Sequence, residues 1–242
     1  MIEIIAVFII LMIIILVFAS VLQPEPEIYK SDYKKSPINQ TFYWINLDKS
    51  VDRREKTEKV FKKHKVKNVR VSAIDGGSNK QDRVDACALS HIKAIKTFYE
   101  SGEEVGVICE DDLSFEHKKY WRNSLDGVIR DAPEDWEILQ IGLIVGFFWP
   151  LAIVTKTTKL YIPYHDYFSS TIGYVINRKG AEKLLKFKNQ MTIAEHYIYK
   201  PVKTYTYKYP MITVQSNNVS SINHLMDESY SKDMLTKYLK YK

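Results

Sequence analysis

Cysteine is almost missing from this chain: Cys87 and Cys109 are the only two in 242 residues. That excludes a disulfide-dense secreted scaffold and leaves at most one bridge, whose geometry the sequence does not fix. Cys109 ends an apolar run and Cys87 is expected to open a helix, so both read as small buried hydrophobes. Internal repeats and low-complexity tracts are missing from the body. So is any long lysine run, since the net charge of +6 is spread along the chain in clusters as short as Phe61-Lys62-Lys63-His64-Lys65. An excess of positive charge favours nucleotide phosphates, acidic lipids or nucleic acid. No nucleic-acid-binding motif accompanies it, so nucleic acid is not expected as a partner. With 45% apolar and 26% charged residues, the composition is that of an ordinary folded protein, long enough for one substantial domain with an appendage.

Charge is missing altogether from Ile4 to Leu22. These nineteen residues, all apolar but Ser20, make at about 1.5 Å each a helix of roughly 28 Å, the thickness of a bilayer core. No polar face suits the segment to a soluble core. It therefore predicts an N-terminal transmembrane anchor over residues 1–23 and attachment to a membrane. The n-region Met1-Ile2-Glu3 lacks the positive charge of a cleaved signal peptide, although Val17 and Ala19 would suit cleavage. Residues 24–40, with Pro24, Pro26 and Pro37, read as a semi-extended stalk, and 41–242 as the body. Orientation has two readings. Lys30, Lys34 and Lys35 argue for a cytosolic body. The sequons Asn39-Gln40-Thr41 and Asn218-Val219-Ser220 suit a lumenal one, of endoplasmic-reticulum or Golgi type, which is the expected placement.

In the body, strand patterns alternate with helical ones. Thr41–Asn46 is aromatic and branched, a first strand. Asp52-Arg53-Arg54-Glu55 resembles a capping box opening a helix through Phe61. Val69–Val71 is a strand that ends at the turn Asp75-Gly76-Gly77. Ala88, Ile92, Ile95 and Tyr99 mark one face of a helix that Gly102 ends. A strand over Val105–Cys109, a helix over Tyr120–Arg130 and a strand over Trp136–Ile141 follow. Thr171–Ile176 then runs into a helix from Arg178 to Phe187, and Thr204–Val214 is strand sequence broken at Pro210. Met234 to Leu239 reads as an amphipathic helix. The order predicts an α/β sandwich on a largely parallel sheet, with ligands beyond the carboxyl ends of the strands.

One acidic cluster, Glu110-Asp111-Asp112, stands directly at such an end. Three adjacent carboxylates repel one another. Mg²⁺ or Mn²⁺, which take oxygen ligands from one or two carboxylates plus substrate phosphates, would compensate them. A solvated loop of helix-capping acids is the competing reading, and the buried strand before the cluster argues for the metal.

These pieces come in an order that resembles glycosyltransferase family 25, which includes bacterial lipooligosaccharide galactosyltransferases and collagen galactosyltransferases. The matching segments are Trp44-Ile45-Asn46-Leu47-Asp48 with Asp52-Arg53-Arg54, Ala73-Ile74-Asp75-Gly76, and Ala86-Cys87-Ala88-Leu89-Ser90-His91. Val107 to Asp112 and Gly173 to Ala181 complete the set. The spelling also looks like the versions carried by large DNA viruses. The resemblance implies a GT-A type nucleotide-sugar-binding fold. It further implies inverting transfer of a hexose, galactose among the candidates, from a UDP-sugar, with Mn²⁺ or Mg²⁺ as cofactor. The acceptor would be a hydroxyl on a glycan or glycoprotein, as in lipopolysaccharide biosynthesis. Within that frame Asn46, Asp48, Arg53, Arg54, Asp75, His91 and Glu110 fall to the donor nucleotide, and Glu110, Asp111, Asp112 and His224 to the metal. The competing readings are helix packing for His91, a solvated first helical turn for Arg53 and Arg54, a plain turn for Asp75 and a loop histidine for His224. Ser90 and His91 are adjacent on one helix and cannot form a relay with each other.

Two departures stand out. Asp85-Ala86 replaces the family's Ile-Gly, and the late aspartate is replaced by Glu195 in Thr192-Ile193-Ala194-Glu195-His196. Inverting transfer needs a base for the acceptor hydroxyl. Glu195 is the first candidate and Asp166 the second. Tyr164, Tyr167 and Phe168 read as an aromatic acceptor platform or as packing, and Gly142 to Pro163 as the acceptor-specific part. The alternative function is a catalytically inactive glycan- or nucleotide-binding protein on the same fold.

Overall fold

The computed structural model describes residues 32–143, 158–166, 168, 170–188, 192–215 and 236. The segment read as a membrane anchor, the second sequon, Tyr167, His224 and most of the C-terminal helix lie outside the described residues. Among the described residues no helix is long and apolar enough to cross a membrane.

Strict alternation in the strands builds two cores, one on each face of a sheet. β1 (Phe42–Asn46) sends Phe42 and Trp44 to one side and Tyr43 and Ile45 to the other. β3 (Val105–Glu110) divides Val107 and Cys109 from Ile108, and β7 (Gly173–Asn177) divides Val175 from Tyr174 and Ile176. On the first face α1 (Val51–His64) contributes Phe61, joined by Trp121 and by Leu125 and Val128 of α3 (Leu125–Arg130). On the second lie α2 (Lys80–Ser101), α4 (Arg178–Lys186) and α5 (Ala194–Tyr199), with Ile95, Phe98, Leu184 and Ile198 buried between them and the sheet. Gly106 is required by this packing. A Cβ there would stand 2.6 Å from the Phe98 ring and 3.1 Å from that of Tyr43.

With β2 (Asn68–Ser72), β5 (Ile138–Gln140), β6 (Tyr161–Pro163) and β8 (Thr204–Tyr207), the sheet runs β2-β1-β3-β7-β5-β8-β6. It is mixed, which corrects the largely parallel sheet expected. β1 is parallel to β2 and β3, and β5 to β8, while β7 runs antiparallel to both its neighbours and β6 to β8. Helix–strand alternation sets the order of elements but not the direction of a strand inserted between two others. That reversal matters for the site. Because Cys109 pairs with Gly173, the beginning of β7 lies where β3 ends.

Local signals account for most boundaries. Asn79 caps α2 by accepting from the Gln81 amide at 2.8 Å, and Gly102 ends it at φ +80. Ser124 and Asn177 cap α3 and α4 in the same way. α1 departs from expectation. It begins at Val51, two residues early, so Asp52 lies inside the first turn instead of capping, where its charge still favours the helix dipole. The helix expected over Tyr120–Arg130 is split into a 3₁₀ turn, Glu116–Tyr120, and α3, because Trp121 turns into the core and bonds to the Met211 carbonyl. Cys87 lies well inside α2 and faces the second core, whereas Cys109 faces the first, so the sheet separates them and both are free. The end of the expected stalk is docked on the body. Ile38 is buried, and Asn39 and Gln40 both donate to the Asp126 carboxylate.

Candidate active site

The site forms where β1 and β3 end and β7 begins. Glu110 is the last residue of β3, and Asp111 and Asp112 make the turn into β4 (Leu113–Ser114), which pairs with β9 (Thr213–Val214). The turn is held from below, since Gln215 donates its amide to the Asp112 carbonyl at 2.7 Å and its side chain to the Leu113 carbonyl at 2.9 Å.

The carboxylates do not share one environment. Asp111 is buried, accepts from the Asn46 amide at 2.7 Å, and is ion-paired with Arg53. Its carbonyl accepts from Thr57, one helical turn beyond Arg53 on the same face of α1. Burial raises its pKa despite the pull of Arg53. Asp112 also meets Arg53, at 2.9 Å, so one guanidinium bridges the two aspartates. Burial and the negative charge of Glu110 push Asp112 up to about 7. Its Oδ1 is buried and has no hydrogen-bond partner among the described residues. Glu110 is shifted down. Burial opposes its charge, but His91 and the Thr171 hydroxyl, 2.7 Å away, outweigh it.

The sequence brought most of these residues to notice but assigned some of them differently. His91 is buried on α2, with Nδ1 3.2 Å from the Tyr174 hydroxyl and Nε2 3.6 Å from Glu110, so it backs the cluster from beneath. Ser90 bonds elsewhere, to the Ala86 carbonyl and the Ile74 amide, so no Ser–His relay exists. Arg53 is engaged with carboxylates. Arg54 donates to the Asp48 carbonyl. Asp48 lies at the rim, lowered by bonds from Arg70 and Ser72. Asp75 is also at the surface, lowered by Lys49 at 2.6 Å and by the Gly77 amide.

Glu195, on the first turn of α5, reaches the cluster through the segment before β7. Its carboxylate accepts from the Ser170 amide at 3.3 Å, and the next residue, Thr171, holds Glu110. The charges of Glu110 and Glu195 both help to raise the buried Cys87 thiol, after burial itself. Asp166 is placed differently. It is half exposed, ion-paired with Lys200 at 2.9 Å and close to His196, and is lowered by the Lys200 bond. Tyr164 packs on Tyr199 and Phe168 is buried, which makes them packing residues.

Thr57, Arg70 and Thr171 were not singled out. Thr57 was open to discovery by its four-residue spacing from Arg53. Arg70, whose Nε donates to Asn46 at 3.0 Å, stands alone between two valines of an edge strand. Thr171 depends on the reversal of β7, for which the sequence has no local mark.

Among the described residues no group of three His, Cys, Asp or Glu side chains is arranged to hold a metal. The residues present nonetheless fit a hard cation in one respect: Asp111 and Asp112 meet at one guanidinium, and the buried Asp112 Oδ1 has no hydrogen-bond partner among the described residues.

The model of Glycosyltransferase family 25 (LPS biosynthesis protein) matches residues 84–206, just over half of the chain, from α2 through the acidic cluster and Glu195 to β8. The chain belongs to this family. Human procollagen galactosyltransferase 2 is 28% identical over 191 residues, covering 66% of this chain and 30% of that protein. Procollagen galactosyltransferase 1 of Danio rerio is 23% identical, covering 88% of this chain and 42% of that protein. The chain thus spans less than half the length of these relatives. A solved glycosyltransferase involved in the glycosylation of the major capsid of PBCV-1 aligns over 82% of this chain and 100% of its own at 8% identity, with a TM-score of 0.46. That likeness is too slight to carry argument.

Proposed function

We propose that this chain is an inverting glycosyltransferase of the GT-A type that moves a hexose from a UDP-sugar to a hydroxyl of a glycan or glycoprotein. The observation that carries the reading is the union of two acidic functions at one end of the central strands β3 and β7. Asp111 and Asp112 are clamped by Arg53, and Glu195 is linked to Glu110 through Ser170 and Thr171. The family match spans both functions.

In this reading the carboxylates of Asp112 and Glu110 would hold Mn²⁺ or Mg²⁺, with Asp111 kept by Asn46, Thr57 and Arg53 as the fixed wall of the site. The cation, when bound, offsets the charge of the donor diphosphate. Arg53 supplies a second, permanent cation, and its fork of donors suits phosphate as well as carboxylate. Glu195 takes the proton of the acceptor hydroxyl as its oxygen bonds to the anomeric carbon and the bond from that carbon to the diphosphate oxygen breaks, releasing UDP. Asp166 is the weaker candidate for the base, since Lys200 stabilises its ionised form. Attachment through residues 1–23 would keep the body at a membrane.

Calorimetric titration of UDP with and without Mn²⁺ tests the donor half of the proposal. Binding that strengthens with Mn²⁺ in the wild type but not in Asp112→Asn is expected. Absence of UDP binding under both conditions would remove the donor assignment. Binding without turnover in the wild type would instead favour the inactive, nucleotide-binding alternative.

A further inference from the structure

A second charged site lies away from the acidic cluster. An open cavity of about 390 Å³ sits between the C-terminal end of α1, the 3₁₀ turn Glu116–Tyr120 and the segment entering the fold at Lys35. Lys35, Lys63, His64, Lys118 and Lys119 line it, with Glu116 as the one carboxylate, over an apolar floor that includes Phe115. α1 sets the separation. Arg53 in its first turn touches the aspartates and His64 ends it, so the two sites stand about 16 Å apart along the helix axis.

Four lysines therefore line a small concave surface with one carboxylate, the Lys119 ammonium lying 5.1 Å from the centre of the Tyr120 ring. Lys118 is 7% exposed, lies 5.2 Å from the centre of the Trp121 ring, and donates to the Ser36 carbonyl at 2.6 Å. That bond ties the cavity to the entering segment. His64 responds to the surroundings: burial first, then Lys63 and Lys118, press it below the ordinary histidine value. An anion with several oxygens would offset this concentration of charge.

The position of the cavity selects among anions. Lys35 stands thirteen positions after Leu22, the last residue of the apolar run, and a chain of that length spans at most about 45 Å. If residues 1–23 lie in a bilayer with the body on its cytosolic side, the orientation that Lys30, Lys34 and Lys35 favour and the reading on which this inference rests, the cavity is within tether reach of anionic lipid headgroups. We infer that the cavity is a ligand site for the phosphate of an anionic phospholipid headgroup, and that its occupation seats the body on the membrane that holds the anchor.

The test uses the full chain in neutral detergent, titrated with short-chain phosphatidylserine and separately with inorganic phosphate, and followed by the ring resonances of His64. The comparison variant is Lys63→Glu/Lys119→Glu, at two exposed positions. The lipid is expected to bind at least about tenfold more tightly than inorganic phosphate, and the variant to weaken it by at least about tenfold, in line with the attraction of clustered lysines to anionic headgroups. Equal affinity for inorganic phosphate overturns the lipid assignment, and an unchanged affinity in the variant overturns the site. Alkaline carbonate extraction of membranes carrying the chain judges the anchor separately. Release of the protein overturns the seating on the membrane, whereas the titration alone decides the cavity.

Discussion

Arg53 reaches the buried Asp111 and the partly buried Asp112, 58 and 59 positions further along the chain, and it is the guanidinium between them. Removing it leaves Asp111 and Asp112 facing each other in a dry site, so Arg53→Ala is expected to destabilise the protein by about 3–5 kcal/mol in urea unfolding. Adding Asp112→Asn should restore part of that loss, because it deletes one of the uncompensated charges. Additive losses in the double variant would show that Arg53 acts through packing alone. Glu195 and Asp166 make the other contrast between single residues. Glu195→Gln is expected to lower kcat by about 10²–10⁴ with little change in donor KM, whereas Asp166→Asn, at the surface beside Lys200, should stay within about threefold. At this scale the sequence made the carboxylates legible through their place behind an apolar strand. It could not reveal that Arg53 turns inward to them and not outward to solvent, since that depends on how α1 lies across the end of β3.

The elements are held in register by a few buried polar knots, and Glu137 is the clearest. It is fully buried just before β5, accepts from the Lys203 amide at 2.9 Å, and meets Lys183 and Lys179 from α4. Burial opposes its charge, but these partners prevail and hold its pKa below the ordinary glutamate value. A depressed carboxylate contributes stability that is present above its unfolded pKa of 4.5 and lost as the pH falls through its folded value. Glu137→Gln should therefore cost about 1–3 kcal/mol at pH 7, and the gap from wild type should narrow as unfolding is measured below about pH 4.5. A gap that is constant with pH would assign the effect to shape. Packing between elements has its own test in Gly106→Ala, whose methyl group would press on the Phe98 ring. A loss of about 1–3 kcal/mol is expected, with its source checked by combining it with Phe98→Leu. The elements themselves were largely readable. Alternation marked β1 and β3, and Gly102 marked the end of α2. The direction of β7 was not readable, because a five-residue buried strand has the same pattern run either way.

At the scale of the whole molecule, two regions of opposite charge are separated by the length of α1: the acidic cluster where sugar transfer is proposed, and the lysine-lined cavity beside the entering segment. The family was legible in the ordered motifs, and the match over residues 84–206 agrees with it. The strands and helix before residue 84, with Asn46, Arg53, Thr57 and Arg70, complete the site by geometry alone. Several measurements bear on the donor, the metal and the base. The most direct is a panel of UDP-sugars with Mn²⁺ and a glycan acceptor, with UDP release and glycosylated product read by mass spectrometry for wild type, Asp112→Asn and Glu195→Gln. One UDP-hexose should be consumed by the wild type, with turnover lost in both variants and donor binding kept only in Glu195→Gln. Turnover of the same donor at an undiminished rate in Asp112→Asn would contradict the assignment of the acidic cluster.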